Sequence, residues 1–257
     1  MMYFIGQILP YIAVTVFIAG VTCRVMTWLK TPVPFQLTLF PAPDTSAGRT
    51  AALAKELLFF SSLRRGDKTL WFWAWLMHIA LAMIIVGHAV GIYFLTHQFT
   101  LIGMTEAASS KMSATLGIIA GIGFIVALVI LLYRRISIPE VRRLSDPADY
   151  FDIALLLAVL VTGMMMRAPG VHVDLVSIRE YLGSLIMLSP KNMQLDGLFV
   201  IHFFLINMLM IYFPFSKLIH MAGFFVNRSM LLEAAPVYPT PQGIMRDSRV
   251  LKRRSAK

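Results

Sequence analysis

Four of the six histidines lie inside long apolar stretches, where a polar imidazole is costly to bury and therefore indicates a function. His78 and His88 share one stretch, and His202 and His220 share another. The first two are ten positions apart, about 15 Å along a helix, and the second two are eighteen positions apart, about 27 Å. If the two stretches run antiparallel, His78 meets His220 at one membrane face and His88 meets His202 at the other.

Two imidazoles on one iron leave no open coordination position, so such a site transfers electrons rather than binding oxygen or substrate. The spacing therefore predicts two b-type haems between the two helices. His78 and His220 would ligate the iron of an inner haem, and His88 and His202 the iron of an outer haem. A single histidine in a helix bundle is more often a packing residue, but two pairs at opposite depths favour ligation.

Several neighbouring residues fit this interpretation. The distance between the two histidines of one stretch differs by about 12 Å from that in the other stretch. Shared between the two pairs, this is an offset of roughly 6 Å each, which helix tilt and a kink at Pro214 can absorb. Gly87 and Gly91 leave room for a flat macrocycle, although glycine is also common in ordinary membrane-helix packing. Arg134 and Arg135 could pair with the propionates of the inner haem, or could serve only as topology signals.

The elements that position these residues are membrane-spanning helices. The chain of 257 residues is 58% hydrophobic and only 14% charged, which excludes an ordinary soluble domain. A span needs about 20 apolar residues. Five apolar stretches stand out, 3–29, 70–96, 112–133, 150–166 and 197–226, and the fourth is rather short for a full span. The expected fold is an all-α integral membrane protein. One cysteine, Cys23, excludes a disulfide framework or an iron–sulfur cluster built from this chain.

The distribution of basic residues predicts the orientation. The net charge of +10 would suggest nucleic acid in a soluble protein, but here it is explained by the excess of Lys and Arg in cytoplasmic segments. With the N-terminus outside and the C-terminus inside, nineteen basic residues lie inside and four outside. The four are Lys111, Arg167, Arg179 and Lys191. We therefore expect this orientation, with lipid and no nucleic acid as a partner.

One membrane domain, residues 1–230, is expected to be followed by a basic cytoplasmic tail, residues 231–257. The domain would contain an inner loop, 31–69, with a short amphipathic helix at 49–63, and an outer loop, 167–196, with a helix at 175–188 along the membrane surface.

Three segments carry a family resemblance: "HIALAMIIVGHAVG", "LLYRRISIPEVRR" and "LDGLFVIHFFLINMLMIYFPFSKLIH". Together they resemble the gamma subunit of respiratory nitrate reductase, a membrane di-haem cytochrome b. The resemblance implies that all four histidines are haem ligands, that a quinol is oxidised beside the outer haem, and that the inner haem delivers electrons to a cytoplasmic iron–sulfur subunit. Menaquinol or ubiquinol would be the substrate, and further membrane and periplasmic subunits are possible partners.

Two departures from that family stand out. The long inner loop is more similar to the DsrM-type and heterodisulfide-reductase-like membrane subunits of sulfur metabolism. The family lysine assigned to the quinol site aligns with Ser109, and Lys111 follows nearby. Ser109 and Lys111 are therefore candidates for a quinol site, with a snorkelling interfacial lysine as the equal alternative for Lys111.

The expected function is electron transfer between a quinol and a cytoplasmic iron–sulfur partner, in a multi-pass protein of the prokaryotic cytoplasmic membrane. A complex of dissimilatory sulfur metabolism is favoured, with nitrate reductase as the alternative. A proton channel or transporter using a histidine relay belongs to another class, but such proteins also carry membrane-embedded acids. A cofactor-free anchor would leave the four histidines unexplained.

Overall fold

The computed structural model is all-helical in the part of the chain that it describes. That part comprises residues 2–31, 43, 45–94, 97–168, 171, 174–192 and 197–233. Most of the predicted inner loop before residue 43 and the predicted tail beyond residue 233 lie outside it, so their expected organisation stays a prediction.

Five helices are long and apolar enough to cross a membrane, as the sequence predicts. Their bounds are Phe4–Lys30, Lys68–Gly91, Glu106–Ser137, Pro147–Met165 and Gly197–Phe215. The third is longer than predicted because Thr105 caps its first turn and polar residues continue it past the apolar stretch.

The described residues form ten α-helices, which we number in chain order. They are α1 Leu9–Lys30, α2 Ser46–Phe59, α3 Ser61–Gly66, α4 Lys68–His88, α5 Glu106–Ser137, α6 Pro139–Arg143, α7 Pro147–Met165, α8 Leu175–Ile186, α9 Gly197–Tyr212 and α10 His220–Glu233. A π-helical turn, Phe4–Ile8, precedes α1, and another, Ala89–Phe94, continues α4.

The fifth span breaks where the sequence predicts a kink. After α9 the chain forms two short 3₁₀ turns, Phe213–Phe215 and Lys217–Ile219, before α10 begins at His220. Proline cannot donate the helical hydrogen bond and its ring clashes with the preceding turn, which explains the break. Pro214 packs so closely against α1 that a Cβ at Gly20 would lie 2.6 Å from it.

The predicted inner amphipathic helix is two helices rather than one. α2 and α3 meet at Phe60, whose left-handed backbone (φ 46°) ends the first and begins the second. The indole N–H groups of Trp71 and Trp75 donate to the carbonyl oxygens of Phe59 and Leu58, at 2.7 and 2.8 Å. These bonds hold the turn against the start of α4.

The predicted surface helix is present as α8. Its apolar side, including Ile178 and Leu182, is buried against Phe199 of α9 and the start of the chain. The hydroxyl of Tyr181 donates to the carbonyl of Gly6, so α8 is tied to the end of the bundle at which the chain begins.

Helix packing separates the two histidine-bearing spans. α4 packs mainly on α5, whereas α9 packs on α1 and α7. Among the described residues α4 and α9 share no extensive interface. In the described residues α4 and α9 are therefore held together mainly through the other spans.

Candidate functional site

His78 of α4 and His220 at the start of α10 face each other at one end of the bundle. Their ring centroids are 5.8 Å apart and their planes are nearly perpendicular, at 83°. The Nδ1 of His78 lies 2.7 Å from the carbonyl oxygen of Ala74, and that of His220 lies 2.9 Å from that of Lys217. A carbonyl only accepts, so both Nδ1 atoms carry the proton and both Nε2 atoms keep a free lone pair.

His88 and His202 form the second pair, at the opposite end. The Nδ1 of His88 lies 2.7 Å from the carbonyl oxygen of Ile84, and its ring is close enough to His202 to interact electrostatically. His202 is 9% exposed, so its ring needs a partner. That partner is the hydroxyl of Thr162, 2.9 Å from Nδ1.

The fourth span forms part of the second pair, which the sequence reasoning missed. The Thr162 hydroxyl lies 2.9 Å from the carbonyl oxygens of Ala158 and Val159, so its hydrogen goes to its own helix and its oxygen accepts from His202. Beside it, a Cβ at Gly163 would lie 3.1 Å from Cε1 of His202. The signal was present as two adjacent small residues within a run of large apolar ones.

The four histidines together present two pairs of Nε2 atoms, one pair at each end of the bundle. Metal-bound histidines characteristically donate their other ring N–H to a fixed acceptor, which sets the tautomer and orients the ring. All four histidines do so here. Among the described residues no group of three or more His, Cys, Asp or Glu could hold a metal ion alone. Each pair of Nε2 atoms would therefore suit the iron of a haem, whose macrocycle would supply the other ligands.

The two predicted propionate partners lie at the His78 end and bind carboxylates of this chain. Arg134 donates to Asp67 at 2.7 Å, across α4 and α5. Arg135 donates to Asp149 at 2.9 Å and to the Ser145 hydroxyl at 2.7 Å. Their assignment to haem propionates stays a prediction.

Asp149 also joins the third and fourth spans to the residues just before His220. The ammonium of Lys217 lies 2.7 Å from Asp149 and 2.8 Å from Asp146. The hydrogen bond from Lys217 holds the pKa of the Asp146 carboxyl below its ordinary value, and the same bond raises the pKa of Lys217. Since the carbonyl of Lys217 accepts from His220, this ion-pair group fixes the segment that orients the ring.

The other predicted site residues lie at the His88 end. Gly87 has open space beside it, whereas the side chain of Gln98 lies 3.5 Å from the position of a Cβ at Gly91. Ser109 is fully buried, and its hydroxyl accepts the N–H of Phe99 at 3.0 Å. Lys111, two residues further along α5, is exposed. Ser109 thus holds the backbone of Phe99 in place. The Lys111 ammonium forms no ion pair within the described residues.

Comparison with known proteins gives a consistent picture. Residues 60–235 match the nitrate reductase gamma subunit family. The chain is 29% identical to an Hdr-like menaquinol oxidoreductase cytochrome b-like subunit of Archaeoglobus fulgidus, over 86% of this chain and 77% of that protein. It is 27% identical to the nitrate reductase gamma chain of Bacillus subtilis, over 84% of this chain and 90% of that protein. The respiratory nitrate reductase 1 gamma chain of Escherichia coli is 29% identical over 56% of this chain and 68% of that protein.

The matched region begins at Phe60 and includes four of the five spans and all four paired histidines. It extends over more than half of the chain. This protein is therefore a multi-pass membrane subunit that belongs to the nitrate reductase gamma subunit family.

Proposed function

We propose that this chain is the membrane cytochrome b subunit of a respiratory quinol oxidoreductase and holds two b-type haems, one at each histidine pair. The proposal rests on the hydrogen bonds of the four imidazoles. Each Nδ1 is engaged by a carbonyl or a hydroxyl, and each Nε2 remains available. The 5.8 Å between the rings of His78 and His220 is close to the separation that one iron between two imidazoles requires.

Haem bound at both pairs would supply one-electron transfer across the membrane, between a quinol near the outer face and a cytoplasmic iron–sulfur partner. His78 and His220 would hold the inner group, and His88 and His202 the outer one. The orientation is supported by charge: the His78 end carries the ion-paired arginines Arg134 and Arg135 and most of the basic residues.

The quinol would dock at the His88 end, between the first turns of α5 and the segment Gly87–Gly91. Menaquinol is favoured over ubiquinol because two Archaeoglobus relatives are named menaquinol oxidoreductase subunits. Lys111 is exposed at this end and could contact the quinol oxygen, with its neighbour Ser109 shaping the backbone around it. Protons released there would leave on the outer face while the electrons pass inward, so charge would be separated across the membrane.

The cytoplasmic partner would contact the inner segments α2 and α3. These helices are held against α4 close to His78, and they expose the basic side chains of Arg64 and Arg65. An iron–sulfur protein of a DsrM-type or heterodisulfide-reductase-like complex is favoured over a nitrate reductase, since the inner loop is long and a relative named Hdr-like aligns over most of the chain. The tail from residue 234, which lies outside the described residues, would add to this surface.

Absorption spectroscopy of the purified full chain tests the proposal. Reduced-minus-oxidised spectra should contain two low-spin b-type haems per chain, and His88→Ala or His202→Ala should each remove one. His97→Ala is the matched control, since His97 contacts Ser110 and Glu106 rather than a second histidine. A chain without haem absorbance would overturn the proposal in favour of a histidine relay for protons.

A further inference from the structure

Arg179 of α8 points into the His88 end of the bundle. One Nη atom donates to the carbonyl oxygen of Gly91 at 3.1 Å. Its Nε is buried and has no hydrogen-bond partner. A guanidinium offers five N–H donors, and a buried donor left without an acceptor is costly. The charge of Arg179 is therefore only partly satisfied by this chain.

Arg167, just after the fourth span, lies at the same end. Its guanidinium rests flat on Gly117 of α5, so closely that a Cβ there would be 2.7 Å from Cζ and 2.8 Å from both Nη atoms. Any larger residue at position 117 would push the guanidinium away. A charged guanidinium, rather than an apolar side chain, therefore lies where the third span meets the end of the fourth.

These two arginines differ from four basic residues at the other end. Arg134, Arg135, Arg228 and Lys217 each form an ion pair with a carboxylate of this chain. Within the described ranges neither Arg167 nor Arg179 has such a partner. At the His88 end, two guanidinium groups therefore have no counter-ion among the residues that the structure describes.

One glycine relates each arginine to the second histidine pair. Gly91, the acceptor of Arg179, is three residues past His88. Arg167 is four residues past Gly163, which contacts His202. A haem held between His88 and His202 would carry two propionates, and ionised carboxylates avoid hydrocarbon and turn towards the nearer aqueous face.

We infer that Arg167 and Arg179 form the carboxylate-binding site for the two propionates of the haem held by His88 and His202. The inference rests on the proposed function. Arginine suits this task because its planar guanidinium stays charged and matches a carboxylate with two parallel hydrogen bonds. Gly117 contributes by leaving the space in which Arg167 lies.

The test compares haem b with its dimethyl ester, whose propionates are uncharged. The full chain is produced in haem-deficient cells, placed in phosphatidylcholine nanodiscs and titrated with each compound. The wild-type chain should bind haem b at the His88–His202 pair about tenfold more tightly than the ester. Arg167→Gln and Arg179→Gln should each reduce that preference, while the spectrum of the His78–His220 haem reports that the bundle has folded.

Two further variants distinguish the position of the Arg167 guanidinium from the total positive charge at this end of the bundle. Gly117→Ala keeps Arg167 but displaces its flexible end, so it should reduce the preference as Arg167→Gln does. Lys191→Gln removes one positive charge from the same end, where Lys191 already pairs with Glu180 at 3.3 Å, and should leave the preference unchanged.

Three results would overturn the inference. If the wild-type chain and both arginine variants showed the same preference for haem b over its ester, the inference would fail. Haem binding, and with it the proposed function, would stand. A preference that disappears when phosphatidylglycerol is added would assign the arginines to lipid phosphate instead. Absence of haem from the wild-type chain would end both proposals.

Discussion

Phe60 and His78 meet edge to face, with ring centroids 5.0 Å apart and ring planes at 79°. Phe60 reaches this position because its backbone is left-handed, a conformation unfavourable for a residue with a large side chain. The cost is offset by the bonds from Trp71 and Trp75 to the preceding carbonyls. A strained residue held by its surroundings beside a candidate ligand indicates that its ring has a role.

Replacing Phe60 with Gly should alter the His78–His220 haem without unfolding the α2–α3 turn. Glycine accepts the left-handed backbone, so the turn keeps its shape while the ring contact, worth about 0.5–1.5 kcal/mol, is lost. His78 is then freer to rotate from its perpendicular setting to His220. The low-spin EPR signal, which depends on the angle between the imidazole planes, should broaden or shift, and the potential should move by tens of millivolts.

Leu188→Gly is the matched control for that experiment. Leu188 also has a positive φ, of 54°, but it lies at the end of α8 and is 77% exposed. Its replacement should leave the EPR signal unchanged. If Phe60→Gly also left the signal and the potential unchanged, Phe60 would be only a helix-terminating residue.

Thr162→Val should weaken haem binding at the second pair alone. The substitution keeps the shape of the side chain but removes the oxygen that accepts from Nδ1 of His202. Loss of such an outer contact lowers the affinity of a metal ligand set by about 10- to 100-fold. Haem titration should therefore leave the His78–His220 signal intact and reduce the other.

Thr115→Val is a suitable comparison, because the Thr115 hydroxyl donates only to the carbonyl of Lys111 in its own helix. It removes the same group from a span at the same end of the bundle. Equal losses in both variants would mean that hydroxyl removal disturbs the spans generally, and the contact to His202 would lose its significance.

Gly163→Val should prevent haem binding at the second pair more completely than Gly163→Ala. The Cβ of alanine would lie 3.1 Å from Cε1 of His202, which a small shift of the ring can accommodate. The two methyl groups of valine leave no such room and would turn the ring away. Gly183→Val, at a position with nothing within 4 Å of a Cβ, is the control. Unchanged spectra in Gly163→Val would rule out a steric role for this glycine.

The sequence was sufficient for features that depend on one helix at a time. Hydropathy located the five spans, Pro214 marked the kink, and helical rise placed His78 opposite His220. It was not sufficient for contacts between distant segments. Thr162 and His202 are 40 positions apart, and only the fold shows that their side chains form a hydrogen bond.

The arginines at the His78 end illustrate the same limit. From the sequence Arg134 and Arg135 could be topology signals or propionate partners. Only the fold reveals that Asp67 and Asp149, from two other helices, lie within ion-pair distance. Side-chain pairing of this kind follows from how the helices pack, which no local pattern encodes.

Protonation of Glu56 at low pH should destabilise the α2–α3 turn. Burial raises the pKa of this carboxyl, but hydrogen bonds from Ser61 and Ser62 and the nearby charge of Arg228 outweigh that effect and hold the pKa below 4.5. A carboxyl with a depressed pKa stabilises the folded state above its unfolded pKa, and this stability is lost as the pH falls through the folded value. Glu56→Gln should therefore destabilise the turn at neutral pH, by about 1.5–3 kcal/mol for the charged hydrogen bonds.

Hydrogen exchange of the amides in α3, followed from pH 7 downwards, measures this effect. At neutral pH the Glu56→Gln chain should exchange faster than the wild type, and the difference should close as Glu56 becomes protonated. Glu140→Gln, which removes an exposed carboxylate with no ion pair among the residues described, should not change exchange in α3. Because the α2–α3 turn carries Phe60, the EPR signal assigned to the His78–His220 haem should change over the same pH range. A difference that persists undiminished in acid would show that Glu56 acts through its shape rather than its charge.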